Sequence, residues 1–167
     1  MIVKEIIGNI FSGDFQSDLI DYLEIEWFEA TKRIQRLRTE SGRDIAVKLL
    51  REGQRLRDGD VLIDDAEGLV VVKIRPCEAI IIQPQNMLEM GTVCYEIGNK
   101  HMPLFIQNDE VLMPFEMPMF RWLEASGYKP KQGERKLLDI LKSNVEPHQH
   151  SGNSLFSKIL NMAASKG

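Results

Sequence analysis

Residues 77–127, CEAIIIQPQNMLEMGTVCYEIGNKHMPLFIQNDEVLMPFEMPMFRWLEASG, decide the fold of this chain. Cys77 to Gln83 reads as a strand that Pro84 stops. A helix follows, because Asn86 and Glu89 make a capping-box pattern and Met90, Val93, Cys94 and Ile97 fall at i, i+3, i+4 and i+7, one apolar stripe. Gly98 is placed to cap its carboxyl end. Pro103 to Ile106, the turn Gln107-Asn108-Asp109 and Glu110 to Met113 read as a β-hairpin. Pro118 then opens a second helix, with Met119, Trp122 and Leu123 at helical spacing and Gly127 closing it. The segment Glu134 to Leu141 is ambiguous by periodicity, and reading it as a strand completes β-α-β-β-α-β, the ferredoxin-like split βαβ plan.

Upstream the rhythm changes. Runs of strand length, rich in β-branched and aromatic residues, lie at Ile2 to Ile7, Tyr22 to Phe28, Arg33 to Thr39, Asp44 to Leu50, Asp60 to Ile63 and Leu69 to Ile74. Turn signals separate them at Ser12-Gly13-Asp14, Ser41-Gly42, Asp58-Gly59-Asp60 and Glu67-Gly68, as a small antiparallel barrel or sandwich requires. Residues 1–75 are therefore expected to form an all-β domain, with Arg75-Pro76 as the hinge to an α+β domain over 76–142. Downstream, 143–167 is polar and expected to be a flexible tail, with Ser154 to Ser165 able to form a short amphipathic helix. The fold class is α+β.

Composition narrows the function. Among 167 residues, Lys and Arg total 21 against 25 Asp and Glu, a net charge of -4, so a general affinity for nucleic acid is not expected. No apolar run approaches the ~20 residues of a bilayer span, and Lys4 and Glu5 interrupt any leader at the amino end, so no membrane is expected and the cytoplasm is the expected compartment. Cys77 and Cys94 are too few for a disulfide framework and read as buried apolar residues. GxSxG, HExxH, a Walker A loop and GxGxxG are all absent, which leaves an enzyme without sequence support.

The candidate chemistry lies in the histidines. His101 stands just beyond a capped helix and just before a strand, rigid at its base and open at its tip, where an imidazole can serve as metal ligand or proton carrier or be an ordinary surface residue. His148 and His150, one residue apart in the tail, can turn towards one ion, or can simply be solvated. A second feature is the basic stretch Lys32, Arg33, Arg36, Arg38, Arg43, Lys48, Arg51, Arg55 and Arg57, opposed only by Glu40, Asp44 and Glu52. It reads either as solvated strand faces and guarded edges or as a docking patch for an acidic protein. A nucleic-acid platform would interleave aromatics, which are missing here. The methionines at 87, 90, 102, 113, 117 and 119 could suit Cu(I), but their spacing fits core filling.

The string Cys94-Tyr95-Glu96-Ile97-Gly98-Asn99-Lys100-His101, followed by Pro103-Leu104-Phe105-Ile106 and Met113-Pro114-Phe115, resembles the signature of the UreE family of urease accessory proteins, which are nickel metallochaperones. Leu23-Glu24-Ile25-Glu26-Trp27-Phe28-Glu29-Ala30-Thr31-Lys32-Arg33 resembles the family's amino-terminal region. The resemblance implies a homodimer joined through the ferredoxin-like domains, with His101 of each subunit meeting its mate at the two-fold axis to bind Ni2+, and His148 and His150 completing the site. It also implies delivery of nickel through a urease accessory GTPase to the urease apoprotein. Lys100 stands where arginine is common, and the tail lacks the long polyhistidine run of some members, which argues against bulk nickel storage. Zn2+ and Cu2+ can bind the same imidazoles, so affinity alone does not set the metal. The contrasting reading is a protein-interaction module without metal, in which the histidines are incidental; a small hydrolase using His101 as base is a distant third.

Overall fold

The computed structural model describes residues 1–141 except 14, 16 and 52. The stretch 143–167, including the proposed amphipathic segment 154–165, lies outside the described residues. The first half supplies β1 (Ile2–Val3), β2 (Gly8–Asn9), β3 (Ile20–Ile25), β4 (Ile34–Arg38), β5 (Asp44–Lys48), β6 (Asp60–Asp65) and β7 (Gly68–Ile74). These make two open sheets, ordered β1-β5-β4 and β2-β6-β7-β3. Alternation along the strands turns Ile45 and Val47 of one sheet towards Leu23, Ile25, Val70 and Val72 of the other, and they share one core as in a sandwich. The β6–β7 turn needs Gly68, whose φ is 109° and where a Cβ would strike the Leu19 carbonyl.

Two expected strands are shorter than their apolar runs. Instead of one strand over Ile2 to Ile7, Ile2–Val3 pairs parallel with β5 and Gly8–Asn9 antiparallel with β6, so the chain changes sheets between them. The exposed pair Lys4 and Glu5 breaks the alternation at the crossing. The strand expected over Tyr22 to Phe28 ends at Ile25, because the Glu29 carboxylate accepts from the Glu26 N–H at 3.0 Å and turns the chain. That turn sends Trp27 towards the second half of the molecule.

The second half continues with β8 (Cys77–Ile82), α1 (Met87–Asn99), β9 (Phe105–Gln107), β10 (Glu110–Pro114), α2 (Met117–Ala125) and β11 (Lys131–Arg135). Its sheet runs β11-β8-β10-β9 with every neighbouring pair antiparallel, the ferredoxin-like arrangement. Ile80 and Ile82 of β8 pack with Val93 and Ile97 of α1 and Met119 and Leu123 of α2. The alternate residues Ala79 and Ile81 face the other way, onto Phe105, Leu112 and Leu137. Asn86 caps α1 through its side chain, accepting from Glu89 N at 2.9 Å. Among the described residues no helix is long and apolar enough to cross a membrane.

The last strand is displaced from its expected position at Glu134 to Leu141. β11 occupies Lys131–Arg135, a polar edge strand without an apolar run to betray it. The apolar residues beyond it leave the sheet edge: Leu137 is buried against Ile81 and Phe105, and Leu138 packs on the core of the first half. Gln107 clamps this segment, donating to the Lys136 carbonyl at 3.0 Å and accepting from Leu138 N at 2.8 Å. Lys136 also reaches Asp58 at 2.8 Å, Arg55 reaches Asp139 at 2.6 Å, and Trp27 meets Phe105 edge to face with centroids 5.6 Å apart. Residues 136–140 thereby join the two halves.

Leu137→Ala is expected to cost about 2–5 kcal/mol, the range for truncating a buried leucine, read by urea denaturation. Glu110 gives a pH test. Arg135 at 3.1 Å and Gln83 at 3.0 Å hold its carboxyl below the ordinary glutamate value of about 4.3. Its contribution is therefore complete above that value and is lost as pH falls through the lowered one. Glu110→Gln should destabilise the protein at neutral pH, and the difference from wild type should shrink as denaturation is repeated at progressively lower pH.

Candidate metal centre

Both helices end in the same way, with one difference. After α2, Gly127 takes the left-handed conformation at φ 88°, its N–H reaching Glu124 O at 3.0 Å and Tyr128 N reaching Leu123 O at 3.0 Å, a complete Schellman cap. After α1 the corresponding position is His101, at φ 56°, with its N–H on Gly98 O at 2.9 Å. Gly98, expected as the cap, lies inside the helix, which runs on to Asn99. A side chain in the left-handed region costs roughly 1–2 kcal/mol, and such positions recur at functional sites because the surrounding structure has to enforce them.

Enforcement comes from both sides. Ile97 is fully buried before His101, and Met102 packs into the same core directly after it, followed by buried Leu104 and Phe105. Lys100 lays its ammonium over the Trp122 ring of α2 at 4.0 Å, a cation–π contact that ties the helix end to its neighbour. Tyr128 donates to Glu96 at 3.1 Å and makes a second tie. The His101 side chain itself is exposed. Neither tie shows in the local pattern, since Lys100 and Trp122 are distant in sequence; the only local signal for the backbone is that a left-handed cap needs a residue after the helix, which Gly98 seemed to supply.

Among the described residues no three His, Cys, Asp or Glu side chains lie close enough together to hold an ion. His148 and His150 lie outside the described residues. Cys94 sits beside Met90, sulfur to sulfur 3.9 Å, half-buried in the helix-facing core, and Cys77 is half-buried on the opposite face of the sheet. Burial pushes both thiols above their ordinary pKa, so each is a packing group, though less enclosed than the sequence suggests. The outer face of α1, by contrast, is open. Met87, Leu88 and Tyr95 are 84%, 81% and 72% exposed, and Gly91 and Gly98 have open space beside them. Leu88, Gly91, Tyr95 and Gly98 follow helical spacing towards His101, a stripe without a partner among the described residues.

The chain is similar to known proteins over most of its length. The UreE urease accessory protein N-terminal domain matches residues 3–75. A urease accessory protein UreE of Flavobacterium johnsoniae is 54% identical, covering 98% of this chain and 99% of its own. The chain belongs to the UreE urease accessory protein family. UreE proteins of Actinobacillus pleuropneumoniae and Acetivibrio thermocellus are 41% and 37% identical, covering 86% and 90% of this chain and 79% and 98% of their own. These relatives are named as accessory proteins and not as enzymes, in keeping with the missing catalytic motifs.

Replacing His101 by glycine tests the strain directly. If the left-handed backbone is imposed by the helix end and its ties, His101→Gly should raise stability by up to about 1 kcal/mol in thermal denaturation. A loss of stability would mean that the imidazole itself supports the fold.

Proposed function

We propose that this chain is a nickel-binding metallochaperone that carries Ni2+ for assembly of the urease active site and passes it on through an accessory GTPase. One observation above all supports the reading: an exposed imidazole held on a strained helix cap, at the end of an open apolar helix face. In this reading two copies pair through their α+β domains, residues 76–142, with Met87, Leu88 and Tyr95 of α1 covered in the homodimer. The two His101 side chains then face one another and share the ion. His148 and His150, from the tail 143–167, raise the coordination number, and the β domain, residues 1–75, meets the GTPase and urease apoprotein. The work takes place in the cytoplasm.

The chemistry suits a carrier. Two imidazoles hold an ion and still release it, and auxiliary donors strengthen the hold only when they engage. The same donors accept Zn2+ and Cu2+, the latter more tightly, so selection for nickel rests on supply and on the receiving partner.

Nickel titration calorimetry on the wild type and on His101→Ala tests this. The tightest site should vanish in a variant that keeps its circular dichroism. An ion shared across the two-fold axis binds the dimer and not the monomer, so nickel should also promote association at low protein concentration. Imidazole must be neutral to ligate, so protons compete with the metal and affinity should fall on mild acidification. Removing residues 147–167 should lower metal count or affinity and leave the dimer intact in sedimentation. Tight nickel binding unchanged in folded His101→Ala would overturn the assignment of His101, and an affinity flat from neutral to mildly acid pH, or nickel bound with no gain in association, would turn the reading to the interaction module.

A further inference from the structure

The cations between Lys32 and Arg57 fall into two groups. Lys32 pairs with Glu29, Arg43 with Asp65, Arg55 and Arg57 with Asp139, and Arg38 lies 3.7 Å from Asp44. Arg33, Arg36, Lys48 and Arg51, all exposed, have no ion-pair partner among the described residues, although the chain carries more acids than bases. Of these, Arg36 and Lys48 lie on the outer face of the β1-β5-β4 sheet. Because Val3, Ile45 and Val47 turn inward, Ile2, Ala46 and Arg36 form one row across the outer face, with Ile34 opposite Lys48 beside it.

This face is apolar at its centre. Met1, Ile2 and Ile34 are 63%, 58% and 67% exposed, and with Ala46, Arg36 and Lys48 they line a shallow depression of about 660 Å³. Cations that merely guard an edge strand would not need large apolar side chains beside them, since exposed apolar surface is the hazard such guards oppose. No aromatic ring lines the depression, so it offers bases nothing to stack upon.

We propose that the outer face of the β1-β5-β4 sheet docks an acidic segment of a protein partner, with its apolar side chains over Ile2, Ile34 and Ala46 and its carboxylates on Arg36 and Lys48. The site is independent of the nickel reading, for neither His101 nor α1 contributes to it. Charge complementarity sets its specificity, and the apolar centre supplies contact area that a free polyanion cannot use.

The test uses the full chain and a fluorescein-labelled peptide alternating glutamate and leucine, followed by anisotropy. Wild type should bind it, more weakly as salt is raised. Arg36→Glu combined with Lys48→Glu should lower affinity about tenfold or more, and Ile34→Ser, which leaves every charge in place, about threefold. Circular dichroism should be unchanged in both variants, whose altered residues are all exposed. The proposal is overturned if the wild type does not bind, if the charge-reversed variant binds as well as wild type, or if an oligothymidylate of the same charge binds equally.

Discussion

Strand β8 is buried on both faces, and the rest of the molecule is arranged around that fact. Ile80 and Ile82 are sealed by the two helices, while Ala79 and Ile81 need a second cover that the four-stranded sheet cannot supply itself. Leu137 and the Trp27–Phe105 contact provide it, drawing residues 136–140 across the sheet and against the β sandwich. Each buried aliphatic side chain is worth about 1.5–3 kcal/mol relative to exposure, far more than the surface pairs at the rim. The polar contacts Lys136–Asp58 and Arg55–Asp139 thus fix how the two halves meet, and burial on both sides of β8 supplies the reason they meet at all.

The helical layer sealed on β8 carries the candidate centre. Ile97 and Met102 anchor the chain on either side of His101, so the helix end has no freedom to adopt a relaxed cap. The same chain solves the same problem after α2 with Gly127, at no steric cost. Keeping a histidine in the left-handed position forgoes that saving, which makes sense if the imidazole has work to do from that point and direction. Lys100, held over Trp122, reinforces the placement one residue earlier.

Much of this was legible in the sequence. Asn86, Pro118 and Gly127 marked helix boundaries that the structure keeps, because each acts through local backbone chemistry. The β-α-β-β-α order followed from periodicity and turn signals. The position of β11 did not, since an edge strand of Lys131, Gln132, Gly133, Glu134 and Arg135 buries little and leaves no apolar signature, while Leu137, Leu138 and Ile140 imitate one for a purpose elsewhere. His101 stood out as a residue type at a loop tip, but its left-handed backbone depends on where the helix stops, and the true end, beyond Gly98, is set by tertiary packing of Ile97 and Met102. That Arg36 and Lys48 find no ion-pair partner among the described residues was likewise invisible in a run of nine cations, because pairing is decided by the sheet register.

The central claim is that His101 is a nickel ligand. Nickel K-edge X-ray absorption on the full chain, loaded below one ion per two chains, tests it most directly by comparing wild type with His101→Gly. The expected result is nitrogen and oxygen ligation with the multiple-scattering signature of imidazole, markedly weakened in the variant. Identical spectra from the two proteins, both folded and both metal-loaded, would contradict it.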